Sequence, residues 1–72
     1  MDDIRERIGL NLQNLRRARG MTQEELASNA SVNQTYVSDI ERGIRNPSVQ
    51  VLARIATALE ADIEDLVRRR SL

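Results

Sequence analysis

The sequence predicts an all-α fold of five short helices, and three observations carry that prediction. Apolar residues recur every three or four positions along the chain, without the sustained two-residue alternation of a half-buried strand. Breaks in this periodicity are rare, and two of the three glycines, Gly20 and Gly43, stand at such breaks. Thr22, Asn33, Ser48 and Asp62 each precede a periodic run, where a side-chain oxygen can accept from the free backbone N–H groups of a helix start.

Taken in order, the first helix is expected over residues 3–19, with Ile4, Ile8, Leu12 and Leu15 in one stripe facing the core. Leu10 lies on the opposite side and is expected to be exposed. Thr22, with Glu25 three residues on, forms a capping box for a second helix over residues 23–29 that buries Leu26 and Ala27. A turn at residues 30–32 leads to a third helix, capped by Asn33, covering residues 34–42 and ended by Gly43. After "IRNP", Ser48 caps a fourth helix with a broad apolar stripe of Val51, Leu52, Ile55, Ala56 and Leu59. Asp62 and Asp65 open a fifth helix bearing Ile63, Leu66 and Val67, and the "RRR" after it suits the negative end of a helix dipole.

Seventy-two residues make one domain near the lower limit for an unassisted core. Without cysteine there is no disulfide or thiolate metal site, and without histidine the commonest general base and metal ligand are missing. No motif groups carboxylates, arginine or tyrosine around a pocket, so an enzyme is not expected, nor a cofactor, a metal or a small-molecule ligand. The longest apolar run falls far short of the roughly 20 residues that span a bilayer. The mixed start "MDDIRER" is unlike a signal peptide, so the expectation is a soluble, cytoplasmic protein.

All eleven basic residues are arginine and eleven acids balance them. The charge is segregated: residues 1–21 carry a net +2, 22–41 −4, 42–54 +3, 55–67 −4 and 68–70 +3. A neutral chain can present an arginine-bearing face, although its long-range attraction to a polyanion is weak.

Spacing residues about 100° apart separates the faces of the third helix. Val37 and Ile40 point one way, while Gln34, Thr35, Ser38, Asp39 and Arg42 lie opposite, with Tyr36 and Glu41 on the flanks. An amide, two hydroxyls, a carboxylate and a guanidinium match base edges in a DNA major groove, and they also suit a solvated helix face. Context favours the groove: a short helix, a turn and a second helix have the dimensions of a helix-turn-helix.

The stretches "TQEELA", "IERG", "NPS" and "IATAL", at their mutual spacing, resemble the Cro/CI-type (XRE) helix-turn-helix family over about residues 8–66. The resemblance implies a lambda-repressor-like fold and a sequence-specific transcriptional regulator that binds double-stranded DNA. Within that family, "TYVSDIERGIRN" and "ALEAD" are most similar to the small controller proteins of restriction–modification systems. That likeness implies an autoregulating homodimer on an inverted repeat.

Carried onto this chain, the family pattern places base contacts at Gln34, Thr35, Ser38 and Asp39. Backbone contacts fall at Gln23, Asn33, Tyr36, Arg42, Arg45, Asn46 and Ser48, with Gln23 also bracing the start of the reading helix. Tyr36 has an equal structural reading, as a cover for the core edge with its hydroxyl in water. The pattern also implies a partly buried ion pair between Arg16 and Glu41. Ser31 stands where the family often has glycine, which points to an adjusted turn backbone, and the Asp39 carboxylate calls for Arg42 or Arg45 beside it. Ile63, Leu66, Val67 and Leu72 are candidates for a dimer surface, with core closure the competing role for Ile63 and Leu66. A rival reading is a helix-turn-helix interaction module, an antitoxin or bridging factor, that acts through a protein partner.

Overall fold

Each helix starts where a capping side chain meets it. In the computed structural model, which describes residues 3–69, the helices are α1 (Ile4–Ala18), α2 (Gln23–Ala30), α3 (Gln34–Glu41), α4 (Val49–Ala58) and α5 (Ile63–Val67). Asp3 accepts from the Arg5 backbone N–H at 2.9 Å and Ser48 from that of Val51 at 3.1 Å. Asn33 accepts from the Thr35 N–H at 2.7 Å. Thr22 and Glu25 exchange both bonds of the capping box, at 3.0 and 2.9 Å. At α5, Asp65 reaches back to the Asp62 N–H at 3.0 Å. α2 runs one residue past the expected end, and α3 stops at Glu41 with Arg42 as its cap.

The first four helices end alike. Just past each end one residue adopts a left-handed backbone, and the N–H of the residue after it folds back onto a carbonyl of the last turn. At α3 this residue is Gly43 (φ 76°), with Gly43 N–H on Ile40 O at 3.0 Å and Ile44 N–H on Asp39 O at 3.1 Å. At α2 and α4 the left-handed residues are Ser31 (φ 57°) and Glu60 (φ 55°), which carry side chains that disfavour this region.

The helices pack α1 on α3 and α5, α2 on α3 and α4, and α4 on α5. Leu12, Leu26, Val37, Ile40, Ile55 and Leu66 are fully enclosed at the centre. Within the predicted α1 stripe, Ile8 and Leu12 are buried and Leu15 packs against the core, but Ile4 is 42% exposed. The expectation for Ile4 is corrected: the first turn of α1 projects past the end of the core, which begins at Ile8. Leu10 is exposed, as its opposite face requires. Among the described residues, no helix is long and apolar enough to cross a membrane.

Two residues without a sequence signal fix α1 against its neighbours. A Cβ on Gly9 would lie 2.4 Å from the Ile40 carbonyl oxygen and 2.8 Å from that of Glu41, so the backbones of α1 and α3 meet here. Asn11 is buried, and its Nδ2 donates to the carbonyls of Leu66 (3.0 Å) and Arg68 (2.9 Å), satisfying the end of α5. A helix of five residues does not form alone. Buried Leu66 and the Asn11 amide hold it in place.

Gly9→Ala is therefore expected to destabilise the fold by about 2 kcal/mol or more, because rigid backbone faces the added methyl. Denaturant unfolding measures it, and a midpoint within error of the wild type contradicts the close approach.

Candidate nucleic-acid interface

The outward face of α3 is set by what its inward face buries. Val37 and Ile40 are each 0% exposed, which leaves Gln34 and Thr35 exposed and Ser38 and Asp39 half-buried beside them. The polar groups expected to meet base edges thus share one accessible strip. Asp39 finds a partner within it: Arg42 Nη1 lies 3.9 Å from Asp39 Oδ1, one helical turn on. Of the two arginines expected to answer this carboxylate, Arg42 does so.

Tyr36 sits on the flank of the strip, half-buried and packed against the core. The Arg45 guanidinium carbon stands 4.3 Å from its ring centroid, a cation–π geometry that holds an otherwise exposed loop arginine over the helix. The ring therefore both packs at the core edge and carries a cation. Asn46 and Ser48 are exposed in the same loop, and the Ser48 hydroxyl oxygen is already engaged in capping α4. Asn33 is also exposed, with its Oδ1 engaged at the α3 N-terminus.

Behind the strip lies a buried polar cluster. Arg16 on α1 grips the Glu41 carboxylate with two bonds, Nε to Oε2 at 2.6 Å and Nη2 to Oε1 at 3.1 Å. Its Nη1 donates to the Met21 carbonyl at 2.8 Å. Gln23 Nε2 and Gln13 Nε2 approach Glu41 Oε1 at 3.1 and 3.4 Å. The Glu41 side chain is only 2% exposed. Burial pushes its carboxyl up, but hydrogen bonds from Arg16 and Gln23 and the arginine's charge outweigh this and hold it below the usual carboxylate range. The Glu41 hydrogen bond in turn raises the Arg16 guanidinium against the opposing effect of burial.

This geometry corrects one expectation. Gln23 was expected to brace the start of the reading helix, yet its amide reaches Glu41 at the other end of α3. Gln13, which joins the same cluster, carried no signal in the sequence beyond lying one turn before Arg16.

The turn into α3 depends on α4. Arg54 Nε donates to the Ala30 carbonyl at 3.1 Å and its Nη2 to that of Ser31. At Ser31, where the family often has glycine and an adjusted turn backbone is expected, the adjustment is a left-handed conformation. Arg54, counted with Arg42 and Arg45 in one basic block of the sequence, thus serves the turn while the other two lie at α3 and the loop after it.

On α5, Leu66 is 0% exposed inside the single chain. Its place among the dimer candidates is corrected, since a fully enclosed side chain offers no surface to a second copy. Ile63 and Val67 are half-buried at the core edge, and Leu72 lies outside the described residues. Ile44 is 58% exposed beside Gly43.

A helix-turn-helix family model, HTH_3, matches residues 12–66. The chain is 43% identical over 65 residues to an uncharacterized HTH-type transcriptional regulator, y4dJ, of Sinorhizobium fredii, covering 90% of this chain and 84% of that protein. It is 37% identical over 67 residues to the control protein C.BamHI of Bacillus amyloliquefaciens, covering 92% and 83%. The crystal structure of the restriction–modification controller protein C.AhdI from Aeromonas hydrophila superposes with a TM-score of 0.84 at 37% identity. That superposition covers 86% of this chain and 94% of that one.

Glu41→Ala leaves a buried guanidinium unpaired and is expected to cost roughly 3–5 kcal/mol, read as a sharp fall in melting temperature. The pair also shapes the acid limb of stability. A carboxyl depressed in the folded state contributes stability that is fully present above its unfolded value of about 4.3 and is lost as pH falls through the lower folded value. Melting curves from pH 7 to pH 2 should converge for wild type and Glu41→Ala at the acid end. A gap between them that stays constant with pH contradicts the assignment.

Proposed function

This chain belongs to the helix-turn-helix family HTH_3, and on that premise we propose that it acts as a homodimer reading an inverted-repeat operator in the major groove. It is a DNA-binding transcriptional regulator. The observation that carries the proposal is the strip on α3. Gln34, Thr35, Ser38 and Asp39 are accessible on one side, while Val37 and Ile40 anchor the other in the core. Gln can bond adenine, Thr and Ser can bond several edges or touch a thymine methyl, and Asp can accept from a cytosine amino group. Asn33, Gln23, Tyr36, Arg42, Arg45, Asn46 and Ser48 are the residues assigned to phosphate contacts, which set register without reading sequence.

A helix of eight residues covers only a few base pairs, so useful specificity needs two copies on half-sites about 10 bp apart. Ile63 and Val67 on α5 are the described candidates for the surface that joins them. Similarity to C.BamHI and C.AhdI favours an autoregulating controller of a restriction–modification system as the biological setting. The rival interaction module finds less support, because the exposed strip of α3 carries none of the large apolar anchors that dominate protein interfaces.

Selection of bound sequences from a random duplex library, at near-physiological salt, is expected to return an inverted repeat with half-sites one turn apart. Recovery of no motif sinks the reading. Thr35→Ala should relax preference at one position per half-site, at a cost of about 1–3 kcal/mol. Arg45→Ala should weaken binding evenly across sequences and reduce the salt slope by about 1 per copy. Val67→Arg tests the dimer by sedimentation: a shift to monomer is expected, and an unchanged dimer removes α5 from the interface.

A further inference from the structure

The angle at which α3 is presented depends on the turn after α2, and that turn holds a residue in the wrong conformation for its type. Ser31 sits at φ 57°, ψ 45°, a region that side-chain-bearing residues rarely adopt. Its local bonds, Ser31 N–H to Ser28 O at 3.2 Å and Val32 N–H to Ala27 O at 2.9 Å, tie up the amides. The carbonyls of Ala30 and Ser31 are left pointing outward toward α4, and Arg54 donates to both, Nε to Ala30 O at 3.1 Å and Nη2 to Ser31 O. Two adjacent donors of a rigid planar fork fit two successive carbonyls only when the backbone between them is fixed, and a lysine offers no such pair.

We propose that Arg54 is a positioning residue for the reading helix: its guanidinium clamps the α2–α3 turn, holds Ser31 in the left-handed conformation and thereby sets the pitch of α3. The clamp rests on the DNA-binding reading above and adds to it a determinant on α4, away from the reading strip. Arg54 commits its Nε and Nη2 to the turn, so the effect proposed for it on DNA passes through α3. Glycine adopts the left-handed region without penalty, so the clamp and a glycine at position 31 are two solutions to the same constraint.

The test is a cycle of Arg54→Ala, Ser31→Gly and the double variant, with Arg54→Lys as a variant that keeps the charge and most of the stem. Binding is measured to the sequence selected by the wild-type chain and to an unrelated duplex. Arg54→Ala is expected to weaken the selected site about tenfold, the size of a lost charge-assisted hydrogen bond, with little change on the unrelated duplex. Arg54→Lys should recover little of this, and Ser31→Gly in the Arg54→Ala background should restore most of it. Equal losses on both duplexes, full recovery by lysine, or no rescue by glycine overturns the clamp. Amide hydrogen exchange at Val32 gives an arm that needs no DNA. Exchange should speed up in Arg54→Ala and slow again in the double variant, and unchanged exchange overturns the clamp even where the wild type selects no site.

Discussion

The buried pair of Arg16 and Glu41 is the constraint on which the placement of α3 depends. Glu41 is the last residue of α3, where the helix dipole disfavours a negative charge, and it is almost wholly removed from water. A carboxylate survives there only because Arg16 from α1 and Gln23 from α2 converge on it. The same carboxylate therefore joins three helices, and the Arg16 bond to Met21 O adds the connection between α1 and α2. Gly9 allows the α1 and α3 backbones to touch at Ile40 and Glu41, so backbone contact and ion pair fix the same end of the helix. The outer face of α3 is thus held from behind.

Small size explains why so much of the remaining order is polar and local. Helices of five to fifteen residues are marginal alone, and a core made of aliphatic side chains with one half-buried ring supplies limited apolar area. Side chains therefore complete each helix start, and a left-handed residue closes each of the first four helix ends. Where that residue is not glycine, another element is nearby to fasten it. Arg54 does so at Ser31, and Arg19 donates to both the side chain and the carbonyl of Glu60.

The arginines divide along the same lines. Arg16, Arg19 and Arg54 are committed inside the chain, and Arg42 answers Asp39 while remaining largely in solvent. Arg45 is poised on Tyr36 beside the strip. Balanced overall charge leaves little long-range steering of a polyanion.

Spacing and caps alone determined the five helices, because helix starts and apolar faces are encoded within a few residues. The inward Val37 and Ile40, the outward polar strip and exposed Leu10 were all legible in that way, while the Arg16–Glu41 pair and an adjusted backbone at Ser31 were legible through the family pattern. The tertiary structure decided the rest. It pulled Ile4 out of the core, enclosed Leu66, and turned Gln23 toward the far end of α3. It also recruited Gly9, Asn11, Gln13 and Arg54, each of which acts on a residue more than twenty positions away in the chain. A periodic pattern gives the direction a side chain leaves its own helix. What it meets there depends on how the helices pack, and that information is not local.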